Sequence, residues 1–132
     1  MSFNPRNRIS VLIVSLPGMM QNIIGETFIK RADIDLVGIA CGGLSAIKMI
    51  GQYLPDLIVI NSNLPETETS ELIQWLKEEH PQIVSVALGE TSHQVSRAAN
   101  AGADFALLSY SLPDQLNRLN GSLSKYFRTA NK

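Results

Sequence analysis

Few side chains in this sequence are of types that perform covalent or acid–base chemistry, and their spacing argues against a catalytic centre. Cys41 is the single cysteine, and His80 and His93 are the two histidines. Neither histidine stands at metal-ligand spacing from Cys41, and His93 has no acid or serine partner at catalytic spacing. Cys41, placed where an apolar run meets Gly42-Gly43, reads as a small packing residue, and His80, just before Pro81, reads as a helix cap. Glu66, Glu68, Glu71, Glu78 and Glu79 read as a solvated loop and helix face rather than a metal site. Trp75, within a turn of that acidic face, suits a partner anchor and a core position equally. Asn61 closes the apolar run DLIVIN and reads as a structural amide that hydrogen-bonds the surrounding loops, with ligand contact as the alternative.

The elements that position these residues follow from periodicity. Short β-branched runs alternate with longer amphipathic stretches, the pattern of a parallel sheet covered by helices on both faces. The strands are expected at Ser10 to Ser15, Asp35 to Ala40, Asp56 to Asn61, Val84 to Leu88 and Phe105 to Leu108. A first helix from about Gly18 to Lys30 groups Met20, Ile23, Ile24 and Phe28 on one face. A second carries Ala46, Ile47 and Ile50 to about Tyr53, where Pro55 stops it. A third, from about Thr69 to Glu79, turns Leu72, Ile73 and Leu76 inward. The fourth, Ser92 to Ala101, has a narrow stripe of Val95, Ala98 and Ala99, and Gly102 supplies a left-handed cap. A fifth begins at Ser111-Leu112-Pro113-Asp114, with Leu112, Leu116, Leu119 and Leu123 at helical spacing interrupted by Gly121.

Bulk properties narrow the function classes. The chain has 132 residues, enough for one buried core, and we expect a single domain over residues 1–132 with its core at about 8–127. Hydrophobic residues make up 45% and charged residues 17%, an ordinary globular composition. A net charge of -1 offers no clustered basic surface for phosphate neutralisation, so direct nucleic-acid binding is not expected. No stretch has the length of a membrane span or of a signal-peptide core, and a cytoplasmic location is expected. One cysteine allows no internal disulfide. With no linker or second domain in view, output is expected through protein contact.

Several segments, in order, resemble the receiver domain of bacterial response regulators, in particular the NarL/LuxR-type receivers that precede DNA-binding domains. Arg8 to Val14 (RISVLIV) is similar to the first strand. Asp35 to Ala40 (DLVGIA) with Gly42-Gly43 is similar to the second strand and its turn. Pro55 to Pro65 (PDLIVINSNLP) is similar to the phosphoacceptor strand and its proline loop, and Ala101 to Asp104 (AGAD) followed by Leu107-Leu108 to the lead into the last strand. The resemblance implies a flavodoxin-like (CheY-like) α/β fold with sheet order 2-1-3-4-5 and five helices on both faces.

The same resemblance locates a pocket and shows how this chain departs from it. The acidic pair after the first strand corresponds to Ser15 and Leu16, and the phosphoacceptor Asp to Asn61. The hydroxyl after the fourth strand corresponds to Gly89, and the Lys ending the fifth strand to Ser109. The switch aromatic corresponds to Ala106, with Phe105 expected on the opposite face because strand side chains alternate. Carboxylates that hold Mg²⁺ are thereby replaced by neutral groups, an amide cannot form an acyl phosphate, and no cofactor, Mg²⁺ included, is expected.

The expectation is therefore a receiver that works without phosphorylation and is not an enzyme, acting as an interaction module in two-component signalling or transcriptional regulation. Its partners would be proteins such as a sensor kinase or regulator, or a second copy meeting it through the fourth helix, fifth strand and fifth helix. Val95, Tyr110, Gln115 and Tyr126 are the candidate contacts on that low-charge face, where Ser92, Gln94, Ser96, Asn100 and Asn117 also stand. Two alternatives stay open: a small-molecule sensor using Ser15, Asn61, Ser109 and backbone amides, and a receiver fragment of a LuxR-type DNA-binding regulator.

Overall fold

A computed structural model describes residues 8–65 and 67–111. The elements run β1 (Ile9–Val14), α1 (Met19–Ile29), β2 (Ile34–Ala40), α2 (Gly43–Tyr53), β3 (Leu57–Asn61), α3 (Glu68–Glu79), β4 (Val84–Gly89), α4 (Ser92–Ala101) and β5 (Phe105–Leu108), followed by a 3₁₀ turn, Ser109–Ser111. All four strand pairings are parallel and the order is β2-β1-β3-β4-β5, as expected from the sequence. Among the described residues there are four α-helices. The expected fifth helix, with Gln115 and Tyr126, lies outside them.

The apolar runs become strands because both sheet faces are covered. Along β3 and β4 every residue is buried, whereas the edge strands β2 and β5 are only partly so. The period of two sorts alternate side chains into two cores. Val11, Ile13, Val59, Val86 and Leu88 join Ile24 and Phe28 of α1 on one face. Leu12, Val14, Ile58, Ile60 and Ala87 join Ile50, Leu72, Ile73, Leu76 and Ala98 of α2, α3 and α4 on the other. In α1, Ile24 and Phe28 are buried as expected, but Ile23 is 42% exposed. Successive residues on a helix stand about 100° apart, and Ile24 takes the core-facing place. The β1–β2 register slips between Val11 and Leu12, so that Val11 faces Leu36 and Leu12 faces Gly38, leaving Val37 unpaired.

The polar groups that tie the sheet at its amino end are two aspartate clamps. Asp56 Oδ2 accepts from Ser10 N at 3.0 Å and Ser10 Oγ at 3.1 Å, while Asp56 N donates to Ser10 Oγ at 3.0 Å. Asp104 Oδ2 accepts from Ser85 N at 2.9 Å, Asp104 N donates to Ser85 Oγ at 3.1 Å, and Asp104 Oδ1 accepts from Lys77 Nζ at 2.7 Å. The first clamp joins β1 to the lead into β3, the second joins β4 to the lead into β5 and to α3. Gly102 ends α4 at φ 110°, the left-handed cap expected from sequence. Leu54 takes that conformation after α2 (φ 47°), and Pro55 follows.

Candidate functional site

In a parallel sheet of order 2-1-3-4-5, the loops leaving β1 and β3 depart to opposite faces and open a crevice at the carboxyl ends of the strands. Ser15 follows β1, Asn61 ends β3, Gly89 ends β4 and Ser109 follows β5, so the fold brings these four expected pocket positions to one end of the sheet. Ser15 is 0%, Asn61 2% and Ser109 7% exposed. Leu16 is partly buried and packs against the α2–α4 face.

The crevice is closed by its own hydrogen bonds. Ser15 Oγ donates to the Leu16 carbonyl at 3.0 Å and accepts from Asn61 Nδ2 at 3.2 Å. With its proton committed to Leu16, the hydroxyl can serve Asn61 only as an acceptor, which fixes the amide with its NH₂ toward Ser15. Gln21 Nε2 donates to the Ser15 carbonyl at 3.0 Å, and Leu16 N donates to Asn63 Oδ1 at 3.2 Å. A divalent cation of the hard class needs several oxygen ligands, with carboxylates preferred. Here the side-chain oxygens at the expected pocket positions are the hydroxyls of Ser15 and Ser109 and the amide of Asn61, the first and last already bonded to each other, and Leu16 contributes none. This set does not fit Mg²⁺. Among the described residues, no three His, Cys, Asp or Glu side chains converge on a possible metal position.

At Gly89 the wall of the crevice is closed in by α4. A Cβ there would lie 3.0 Å from Gln94 Cβ, 3.1 Å from Val95 N and 3.2 Å from Val95 Cγ2, closer than ordinary packing allows. Thr91 caps α4 by accepting from Gln94 N at 3.2 Å, and the Gln94 side chain folds back so that its Oε1 accepts from Glu90 N at 2.7 Å. Its Nε2 reaches the Ser62 carbonyl at 3.5 Å. Gln94 thus occupies a backbone donor at the rim. Grouped in sequence with the exposed polar surface of α4, it is instead partly buried and turned to the crevice wall. The legible signal was the Thr91-x-x-Gln94 spacing, that of a capping box, in which the Gln reaches back to the start of its own helix.

Other expected residues fall as follows. Phe105 packs on the α1 face and Ala106 on the α2–α4 face, the alternation expected for them. Tyr110 is 77% exposed and Val95 is partly buried against Gly89, while Gln115 and Tyr126 lie outside the described residues. Cys41, expected to pack, is exposed, and Gln21 Nε2 approaches its sulfur at 3.9 Å. Glu68, expected on a solvated face, is partly buried and accepts from Gly43 N at 2.6 Å, so that α3 caps α2, whose own start has no side-chain cap. Trp75 is half-buried beside His80, their rings 5.3 Å apart, and with Leu44 and Ile47 lines a groove between α2 and α3.

Comparison with solved structures places this architecture. The signal receiver domain of the response regulator NarL from Mycobacterium tuberculosis superposes with a TM-score of 0.76 at 16% identity, covering 91% of this chain and 97% of that one. The non-phosphorylated receiver domain of the stress response regulator RcsB from Escherichia coli gives 0.78 at 15% identity, covering 90% and 95%. The chain has the receiver-domain fold of response regulators. Curated proteins similar in sequence to this chain include the transcriptional regulatory protein YhcZ of Bacillus subtilis, 31% identical over 91 residues, 67% of this chain and 42% of that protein. A protein-glutamate methylesterase/protein-glutamine glutaminase of Syntrophus aciditrophicus is 33% identical over 99 residues, 72% of this chain and 28% of that protein. The chain spans well under two thirds of the length of either relative. No protein-family profile matches it.

Proposed function

We propose that this chain is a phosphorylation-independent receiver that works in two-component-type signalling or transcriptional regulation by binding proteins in the cytoplasm. The observation that carries this reading is the Asn61–Ser15–Leu16 hydrogen-bond chain standing where a receiver would hold its acceptor and metal carboxylates. Three features support it: the donor set does not fit Mg²⁺, Asn61 has no nucleophilic carboxylate, and α4 closes on Gly89. Without a phosphate-dependent equilibrium, only a partner with different affinities for two states can shift this domain. The partner side is a protein, such as a sensor kinase or another regulator, or a second copy meeting it at α4 and β5, where Tyr110 is exposed. Among the described residues no helix is long and apolar enough to cross a membrane.

Incubation with acetyl phosphate and Mg²⁺, followed by intact mass measurement and by the fluorescence of Trp75, tests the reading. Unchanged mass and unchanged emission are expected. An adduct of one phosphoryl group would overturn it. A second reading, a receiver cut from a LuxR-type DNA-binding regulator, draws on the similarity to a transcriptional regulator of which this chain spans 42%. A helix-turn-helix encoded in frame downstream would decide for it.

A further inference from the structure

A groove of about 360 Å³ lies between α2 and α3. Buried Leu72 and half-buried Ile47 and Trp75 line it, and Leu44 stands at its edge 82% exposed. Apolar side chains scattered singly over a surface need no explanation, but four that meet in one concavity beside acids mark a contact site. The groove is set before any partner arrives. α2 has no side-chain cap of its own, and Glu68 of α3 accepts from Gly43 N at 2.6 Å, which pins the amino ends of the two helices together. The Trp75 ring is in turn held against His80, their centroids 5.3 Å apart. A surface already ordered spares its partner part of the cost of binding.

Charge decides what fits there. Glu71 lines the groove one turn before Trp75, and Glu78 and Glu79 follow the ring at i+3 and i+4, on the same face of α3. All three are exposed and form no ion pair with any described residue. Lys77, the one cation of α3, is turned to Asp104 at 2.7 Å, and α2 brings Lys48 alone. We propose that the α2–α3 groove docks a basic amphipathic helix of another protein. Its apolar anchors, spaced i, i+3, i+4 and i+7, sit among Leu44, Ile47 and Trp75, and its Lys or Arg residues pair with Glu71, Glu78 and Glu79. A cation held by Glu71 also comes within reach of the Trp75 ring, where cation–π attraction adds to the ion pair. The inference rests on the reading above that the domain acts through protein contact, and it names a face separate from α4 and β5. It is independent of the crevice, so the acetyl phosphate assay and the titration below fail separately.

The test is a titration of the full chain with a synthetic peptide of about 18 residues, about five helical turns, with Leu at the anchor spacing and Lys elsewhere. One control peptide carries Glu for Lys, and a second reorders the same residues so that Leu is spread around the helix. Trp75 is the single tryptophan, so its emission reports binding directly, and amide NMR maps it. Saturable movement of the Leu44, Ile47, Glu71 and Trp75 amides is expected with the first peptide, and binding about tenfold weaker or less with either control. Leu44→Ser and Glu71→Lys, each checked for a native spectrum, should weaken the first peptide about tenfold or more. Ile29→Ser, which changes an exposed apolar residue on α1, should leave it unchanged. No saturable binding, equal binding of the three peptides, shifts centred on α4 and β5, or folded groove variants that bind as the wild type does would overturn the proposal. Movement of the same four amides on dilution of the protein alone would make a second copy the occupant and overturn it too.

Discussion

At Asn61 the exchange of an acid for an amide changes the electrostatics of the crevice more than its shape. The amide donates to Ser15 Oγ in a site 2% exposed, where a carboxylate would lose both that donor and its hydration. Asn61→Asp is expected to lower stability by about 1–3 kcal/mol at pH 7 in chemical denaturation. Burial raises the folded-state pKa of an acid above its unfolded value. The loss should therefore be full above the folded value, shrink as pH falls from it toward the unfolded one, near about 4, and be gone below that. The substitution should not restore phosphorylation, because Leu16 supplies no oxygen and Ser109 no ammonium. Gly89→Thr should cost about 1–3 kcal/mol, since its Cβ would stand 3.0 Å from Gln94 Cβ and 3.1 Å from Val95 N. Denaturant midpoints near wild type for Gly89→Thr would mean that α4 yields easily.

Among the elements, α4 and the lead into β5 carry polar devices whose removal can be measured. Thr91→Ala should cost about 1 kcal/mol through the lost cap. It should also release Gln94, speeding hydrogen exchange at Glu90 N, which now donates to the Gln94 side chain. Asp104→Ala leaves Ser85 N and Lys77 Nζ without their acceptor and should cost about 1–3 kcal/mol. Lys77→Ala removes only the exposed half of that arrangement and should cost under about 1 kcal/mol. The sequence made the strands and the four described helices legible because burial on both faces writes continuous apolar runs, and Pro55, Pro81 and Gly102 punctuate them. It did not show what Asp56, Asp104, Glu68 or Gln94 do, because each bonds across sequence separations that periodicity does not report, or, for Gln94, because its capping spacing resembles an ordinary polar surface. Ile23 was misplaced for a different reason. At about 100° per residue Ile23 and Phe28 lie at opposite edges of the apolar stripe, and the core takes the Phe28 edge.

For the molecule as a whole, acidic and neutral polar groups are divided between the two ends of the sheet. The Asp56 and Asp104 clamps stand at the amino end of the sheet, where they tie strands together, and the crevice at the carboxyl end holds Ser15, Leu16, Asn61, Gly89 and Ser109. That Ser15, Asn61, Gly89 and Ser109 meet at one end of the sheet was legible through resemblance to known receivers, whereas the Ser15–Asn61 bond and the closing of α4 on Gly89 depend on side-chain packing that a sequence pattern does not report. In that crevice the Ser15 hydroxyl and the Asn61 amide are bonded to each other, and none of the five residues brings a carboxylate for magnesium. The most direct measurement is an amide NMR titration of the full chain with beryllofluoride and Mg²⁺ together. The account predicts that the Ser15, Asn61, Gly89 and Ser109 resonances stay in place at millimolar concentrations. Saturable shifts of those four amides that appear only when both reagents are present would contradict it.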